Sequence, residues 1–286
     1  MQRILFSLVF LMSFSLSADD GGGKSEEQES WDVNSDRYYT ETVTIDTNET
    51  TWSNVTVSPD GETLVFDMLG DIYSVPMQGG EATALSANIA WNYQPRFSPD
   101  GQKIAFVSDR AGGENLWVMN ADGSDPVAIT DEAEHIVHNP AWSPDGQYLL
   151  GRKAYYSTRS IAAGEIWMFH HGGGNGVNLV KRPHDEKDQK NRAEPMFSID
   201  GRYVYYSADI TPGVVWQYNK DSVGSVFAIK QLDLSNGETT TVVSGPGGAI
   251  RPTPSPDGKS LAYLKRRPGL VTQIMLKEME SGLERL

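Results

Sequence analysis

Apolar and polar positions alternate along this chain in short runs rather than in long periodic stretches. Lys103-Ile-Ala-Phe-Val, Asn115-Leu-Trp-Val-Met-Asn and Val127-Ala-Ile-Thr each carry period-two alternation, rich in Val, Ile and aromatic residues. Gly, Asp and Pro punctuate the gaps between them. That combination predicts β-strands joined by tight turns. No long segment carries the 3.6-residue period of an amphipathic helix.

The runs recur in a fixed order. A loop reading Ser-Pro-Asp-Gly stands at residues 58–61, 98–101, 143–146 and 255–258, and as Ser-Ile-Asp-Gly at 198–201. An aromatic residue or Val precedes it (Val57, Phe97, Trp142, Phe197), with Pro254 in that place in the last unit. A strand-like run follows, then a variable loop, a second run, a turn and a short last run. The first intervals match the roughly 40–45 residues of one four-stranded propeller blade. The later ones are longer because their loops are longer. The prediction is an all-β fold: a β-propeller of four-stranded antiparallel blades, about five of them, forming either a closed or an incomplete ring. Residues 40–46 (TETVTID) would close the ring by joining the last blade.

Turn chemistry accounts for the repeated loop. Pro presets φ for a type I turn, and the Ser and Asp side chains accept from nearby backbone N–H groups. Gly supplies the left-handed conformation. The copy at Ser198 lacks Pro yet keeps Asp and Gly, so Gly is the stricter requirement. The five aspartates therefore read as architecture, not as catalytic groups.

The residues before the repeats add two further segments. MQRILFSLVFLMSFSLSA, residues 1–18, has one early Arg, an apolar run and small residues near Ser17 and Ala18. This is the pattern of a secretory signal peptide, and the run is too short for a good membrane span. Residues 19–30 are acidic, glycine-rich and free of apolar side chains, as a solvated linker would be. The propeller is assigned to residues 31–286, and the protein is expected to be exported to the periplasm or beyond, with no membrane partner once the signal is cleaved.

Among 286 residues there is no cysteine, which excludes disulfides, thiol chemistry and Cys-based metal sites. The net charge of -14 disfavours nucleic acid as a partner, because phosphate would be repelled. No catalytic constellation emerges. His135 and His138 lie in a segment read as a loop, at a spacing unsuited to a zinc pair. His170-His171 point to opposite sides of a strand end. Gly172–Gly176 lacks the Lys and following helix of a phosphate loop, and Asp109-Arg110 reads as a loop ion pair. No catalytic, cofactor or metal residues are assigned in this chain.

In an up-and-down meander, SPDG and the turns at Gln78-Gly-Gly, Ala121-Asp-Gly-Ser and Ser235-Asn-Gly share one end of the blades. The long loops collect at the other end, where function usually resides. Aromatics beside Arg or Lys in those loops are candidate anchors for a protein, peptide or glycan. They are Trp91, Arg110, Tyr155, Tyr156, Arg159, Trp216, Tyr218 and Lys220, with Glu165 in the same loop as Tyr155.

The core x-P-x-[FW]-S-P-D-G followed by Ile-Ala-Phe resembles the WD40-like, TolB-type (PD40) propeller repeat, over roughly residues 52–286. Trp31-Asp-Val-Asn, Gly70-Asp-Ile-Tyr-Ser-Val-Pro, Lys181-Arg-Pro and Gly245-Pro-Gly-Gly-Ala-Ile-Arg-Pro-Thr-Pro resemble the N-terminal propeller of exported bacterial amidohydrolase-family proteins. That resemblance implies a metal-dependent catalytic half beyond Leu286, and a divalent metal such as zinc only there. Its ligands carry over to no residue in this sequence. The expected role is a binding, scaffold or substrate-access module, with a missing C-terminal catalytic domain as one partner. The alternatives are a stand-alone interaction propeller and the propeller of a serine peptidase.

Overall fold

The computed structural model describes Val33, Thr44 and residues 46–155, 163–182, 189–213, 224–267 and 271–286. The chain divides into two units, Met1–Ser30, which lies outside the described residues, and Trp31–Leu286. The second unit holds five four-stranded antiparallel sheets in a ring, with no helix among the described residues.

Blade 1 contains β1 (Val55–Val57), β2 (Thr63–Met68), β3 (Asp71–Pro76) and β4 (Thr83–Ala84). Blade 2 contains β5 (Asn92–Phe97), β6 (Lys103–Ser108), β7 (Asn115–Asn120) and β8 (Val127–Ala128). Blade 3 contains β9 (Ile136–Trp142), β10 (Tyr148–Tyr155), β11 (Ala163–His170) and β12 (Val177–Val180). Blade 4 contains β13 (Arg192–Phe197), β14 (Tyr203–Asp209), β15 (Phe227–Asp233) and β16 (Thr239–Val243). Blade 5 contains β17 (Ile250–Pro254), β18 (Ser260–Arg267), β19 (Val271–Glu278) and β20 (Glu284–Arg285). Each blade is a sequential meander, so its first strand is innermost and faces the axis.

The repeated loop builds the expected turn in all five blades. In blade 2, Gly101 N donates to Ser98 O (2.9 Å), Ser98 Oγ donates to Asp100 Oδ1 (2.6 Å) and Gln102 N donates to the same oxygen (3.0 Å). Lys103 N then returns to Ser98 Oγ (2.9 Å). Gly101 adopts φ 71°, where a Cβ would be strained. The Ser hydroxyl, with the backbone N–H beyond it, holds each turn aspartate below the usual carboxylate range. These carboxylates are committed within their own loops. The turns also touch round the ring: a Cβ on Gly101 would lie 3.3 Å from Pro59 of the preceding blade, and one on Gly258 would lie 2.7 Å from Ile199.

Packing between blades supplies the cores. Val65 and Ile72 of blade 1 meet Ile104, Phe106 and Met119 of blade 2. Val107 and Leu116 meet Leu149 and Phe169. Leu150 and Ile166 meet Val204 and Tyr206. Tyr205 and Ile229 meet Leu261, Tyr263 and Met275. Each fully buried large side chain contributes about 1.5–3 kcal/mol. These clusters span the four seams from blade 1 to blade 5. Among the described residues none joins blade 5 to blade 1. There the opposite faces stay open to solvent, with Val55 and Val57 exposed on one side and Ile274 on the other. The proposed closing strand at 40–46 falls mostly outside the described residues, and Thr44 and Asp46 are exposed and belong to no strand.

A polar channel mouth as the candidate functional site

Four of the five inner strands carry an X-Pro dipeptide three residues before the turn: Gln94-Pro95, Asn139-Pro140, Glu194-Pro195 and Arg251-Pro252. Pro has no N–H to give to the ladder, and its ring constrains the residue before it. Pairing breaks at this point. The register shifts between Tyr93 and Arg96, between Ala193 and Met196, and between Ile250 and Thr253, and in blade 3 between Leu150 and Arg152 on the facing strand. Gln94, Asn139, Glu194 and Arg251 sit at φ 55°, 59°, 56° and 57°, a left-handed region that non-glycine residues seldom adopt. Blade 1 has Asn54-Val55 at the equivalent position. It lacks the Pro, and its register runs unbroken.

Each strained residue costs of order 1–3 kcal/mol unless its surroundings hold it. A relay of hydrogen bonds does so, each blade capping the next. The buried Asp67 carboxylate accepts from Asn54 N (2.7 Å), Asn54 Nδ2 (2.8 Å) and Gln94 N (2.6 Å). Gln94 Oε1 accepts from Asn139 N (2.7 Å), and Asn139 Oδ1 accepts from Glu194 N (3.4 Å). Glu194 accepts from Arg251 N (2.9 Å), Arg251 Nε (3.0 Å) and Ser207 Oγ (2.7 Å). The relay stops at Arg251, whose guanidinium can donate but not accept.

Asn54, Gln94, Asn139, Glu194 and Arg251 line one cavity of about 270 Å³ on the axis, together with Arg96, Met196 and Thr253. It lies in the half of the inner strands that emerges from the long loops. Behind it the blade interiors are polar. Arg152, buried on β10, donates from Nε to Asn191 Oδ1 (2.8 Å) and from Nη1 to His138 Nε2. Burial lowers the Arg152 pKa to about 10, with Glu194 opposing the shift, so it stays charged at neutral pH. Tyr93 is pushed well above its usual value by burial and then by Glu114, and burial likewise raises Glu114. Further out, Lys190 pairs with Asp209 (3.4 Å) and bonds Thr211.

Burial, and then Arg152, hold the His138 pKa down at about 3, so this ring is neutral and accepts. The unfolded chain takes up a proton near pH 6.5 whereas the folded chain resists it to about pH 3. Stability present above pH 6.5 is therefore lost as pH falls towards 3. Between pH 6.5 and 4.5, above most carboxylate titration, the loss is expected to be roughly 2 kcal/mol. Urea unfolding across that range measures it, and His138→Gln should flatten the profile. An equal slope in the variant would contradict the assignment.

The loop residues singled out from sequence are only partly placed. Tyr156, Arg159, Trp216, Tyr218 and Lys220 lie outside the described residues. Trp91 is exposed on the loop side, with its N–H on Asp109 Oδ1 (2.8 Å) and its ring over Gly70. Arg110 turns inward. It stacks on Phe106 and Trp117 and donates to Asn92 Oδ1 (2.8 Å) and Ser108 Oγ (3.1 Å). The expected Asp109-Arg110 ion pair is replaced by these bonds.

Tyr155 and Glu165 are not in a loop. Tyr155 ends β10 and pairs with Ala163 across the sheet, because the two strands extend further than the alternation suggested. The Tyr155 ring is covered by Arg182 at 4.0 Å and by His135 at 4.4 Å. Glu165 accepts from Arg182 N (3.0 Å), Asn178 Nδ2 (2.6 Å) and Trp167 Nε1 (3.1 Å). Burial opposes its ionisation, but the bonds from Arg182 and Trp167 keep its pKa lowered. His138 is likewise a strand residue of β9, bonded to Arg152 while His135 packs on Tyr155, so the two rings serve different contacts. Among the described residues no group of three His, Asp or Glu side chains could hold a metal ion.

The repeat and the meander blades agree with the comparison to known proteins. Residues 40–170 match the family model of the TolB β-propeller domain. Over that stretch the chain resembles a TolB-type β-propeller. A solved structure described as a putative TolB from Agrobacterium tumefaciens superposes with a TM-score of 0.64 at 19% identity, covering 81% of this chain and 78% of that one. An uncharacterized peptidase, YuxL, from Bacillus subtilis is 27% identical over 161 residues, which is 45% of this chain and 24% of the relative. Tricorn protease homolog 1 from Streptomyces coelicolor is 34% identical over 92 residues, 32% of this chain and 8% of the relative. The matched stretches are thus about a quarter or less of these two relatives' own length. Both are named as peptidases, which supports the peptidase alternative. The narrower amidohydrolase assignment rests on the quoted motifs alone.

Proposed function

We propose that this chain is the propeller part of an exported peptidase-type protein, and that its channel mouth receives an extended peptide. The observation that carries the reading is the set Asn54, Gln94, Asn139, Glu194 and Arg251. One structural position, repeated in every blade, presents five chemically varied side chains to one cavity. A scaffold position would need no such variety, whereas a binding surface does. The TolB-like propeller therefore binds or admits substrate, and the chemistry belongs to another domain. The named peptidase relatives support that division, since each extends well past the matched stretch. Export rests on the signal-like residues 1–18.

Reading the coding sequence downstream of Leu286 tests the proposal. An in-frame G-x-S-x-G with later Asp and His supports it. In-frame H-x-H and further metal ligands would restore the amidohydrolase reading, and an immediate stop codon would leave a stand-alone binding propeller.

A further inference from the structure

Below the ring of X-Pro residues the cavity wall continues two positions further along three inner strands, with Arg96, Met196 and Thr253. Only Arg96 is charged there. At about 3.3 Å per residue it stands roughly 6 Å deeper than Gln94. Its guanidinium donates from Nη1 to Pro95 O (2.8 Å), and among the described residues it forms no ion pair. A guanidinium has five N–H donors, so Arg96 has most of its capacity uncommitted. Asp67, the nearest carboxylate in effect, already accepts from three N–H groups. Arg251 stands above with its side chain 62% exposed, held from one side by Glu194.

We infer that Arg96 and Arg251 together bind a carboxylate, the free C-terminus of a peptide entering the channel end-on. This rests on the peptide-receiving role proposed above and names the group recognised. Three observations select the ligand. A half-filled guanidinium fork matches a carboxylate in bidentate geometry. Asp67 and Glu194 offset much of the charge of the two arginines, so the site favours an anion of single charge over a dianion, whose second charge these carboxylates would repel. The depth of Arg96 below the rim favours a chain terminus, which can reach it without a wide opening. Burial, with Arg251 adding to it, lowers the Arg96 pKa while Asp67 opposes the shift, which is the electrostatic setting an anion would relieve.

Calorimetry on the purified chain tests this with N-acetyl-tetra-alanine bearing a free carboxylate and with its carboxamide. The acid is expected to bind at least tenfold more tightly than the amide. Arg96→Gln should abolish that preference and Arg251→Gln should reduce it. Circular dichroism checks folding, and if Arg96→Gln does not fold, the exposed Arg251→Gln carries the comparison. Equal binding of acid and amide overturns the carboxylate assignment while leaving the peptide-receiving role intact. Binding of neither overturns both.

Discussion

Asp67→Ala is expected to lower the unfolding free energy by about 3–5 kcal/mol. The carboxylate is buried at the end of β2 and accepts from three N–H groups, Asn54 N, Asn54 Nδ2 and Gln94 N. Each buried donor left unmade costs about 1–3 kcal/mol, and relaxation recovers part of the sum. The same residue anchors two inner strands, since Asn54 leads into β1 and Gln94 belongs to β5. Losing it also frees the strained backbone at Gln94, φ 55°, from the bond that holds it. Asp67→Asn keeps one acceptor oxygen and should lose about half as much. Urea titration measures both through the midpoint at unchanged slope. A loss under about 1 kcal/mol for the alanine variant would mean that the relay adds little to the fold.

Arg152→Met is expected to cost a similar amount, about 3–5 kcal/mol, for a different reason. Met restores most of the apolar volume but none of the donors. Asn191 Oδ1 and the neutral His138 Nε2 each lose a charged donor in a buried place. Glu194, whose charge favours the Arg152 cation, loses a compensating neighbour. His138 loses the smaller of the two influences that depress its pKa and keeps the larger, burial. The acid-side loss of stability should therefore shrink without vanishing. Thermal unfolding at pH 7 and pH 5 reads both effects. A variant as stable as the parent at pH 7 would show that the Arg152 network is not what joins blades 3 and 4 at this depth.

The architecture was legible in the sequence because it rests on local rules. Gly101 and its counterparts must be left-handed, Ser98 and Asp100 close their own turn, and alternation fixes which face of each strand is buried. The five copies make that reading redundant. The channel was not legible in the same way. Its residues differ from blade to blade, so no repeated side chain marks them. The signal that was present is the repeated Pro, with a variable polar residue before it: Gln94, Asn139, Glu194, Arg251. That Pro breaks the ladder and turns the preceding residue toward the axis, an outcome that depends on how five strands converge. Loop residues drew attention instead because aromatics beside cations are conspicuous. Arg110 shows that such a cation also serves the fold, since its guanidinium packs on Phe106 and Trp117. The ends of β10 and β11 were misread because buried polar residues, Arg152 and Glu165 among them, interrupt the apolar alternation that marks a strand.

The open faces of blades 1 and 5 follow from the same packing logic. Phe66 and Tyr73 stack on each other at 5.7 Å on the face of blade 1 turned away from blade 2, and Ile274 lies on the face of blade 5 turned away from blade 4. Every other blade face is covered by a neighbour, so these two are where stability should respond most to what surrounds the propeller.

The account turns on the claim that each blade's channel-facing N–H is capped by the blade before it. Residue-resolved amide hydrogen exchange tests this directly at Gln94, Asn139, Glu194 and Arg251. The account predicts slow exchange at all four, with protection at Gln94 lost first in Asp67→Ala while the Gly101 turn amide is unchanged. Exchange at those four amides as fast as at exposed loop residues would contradict it.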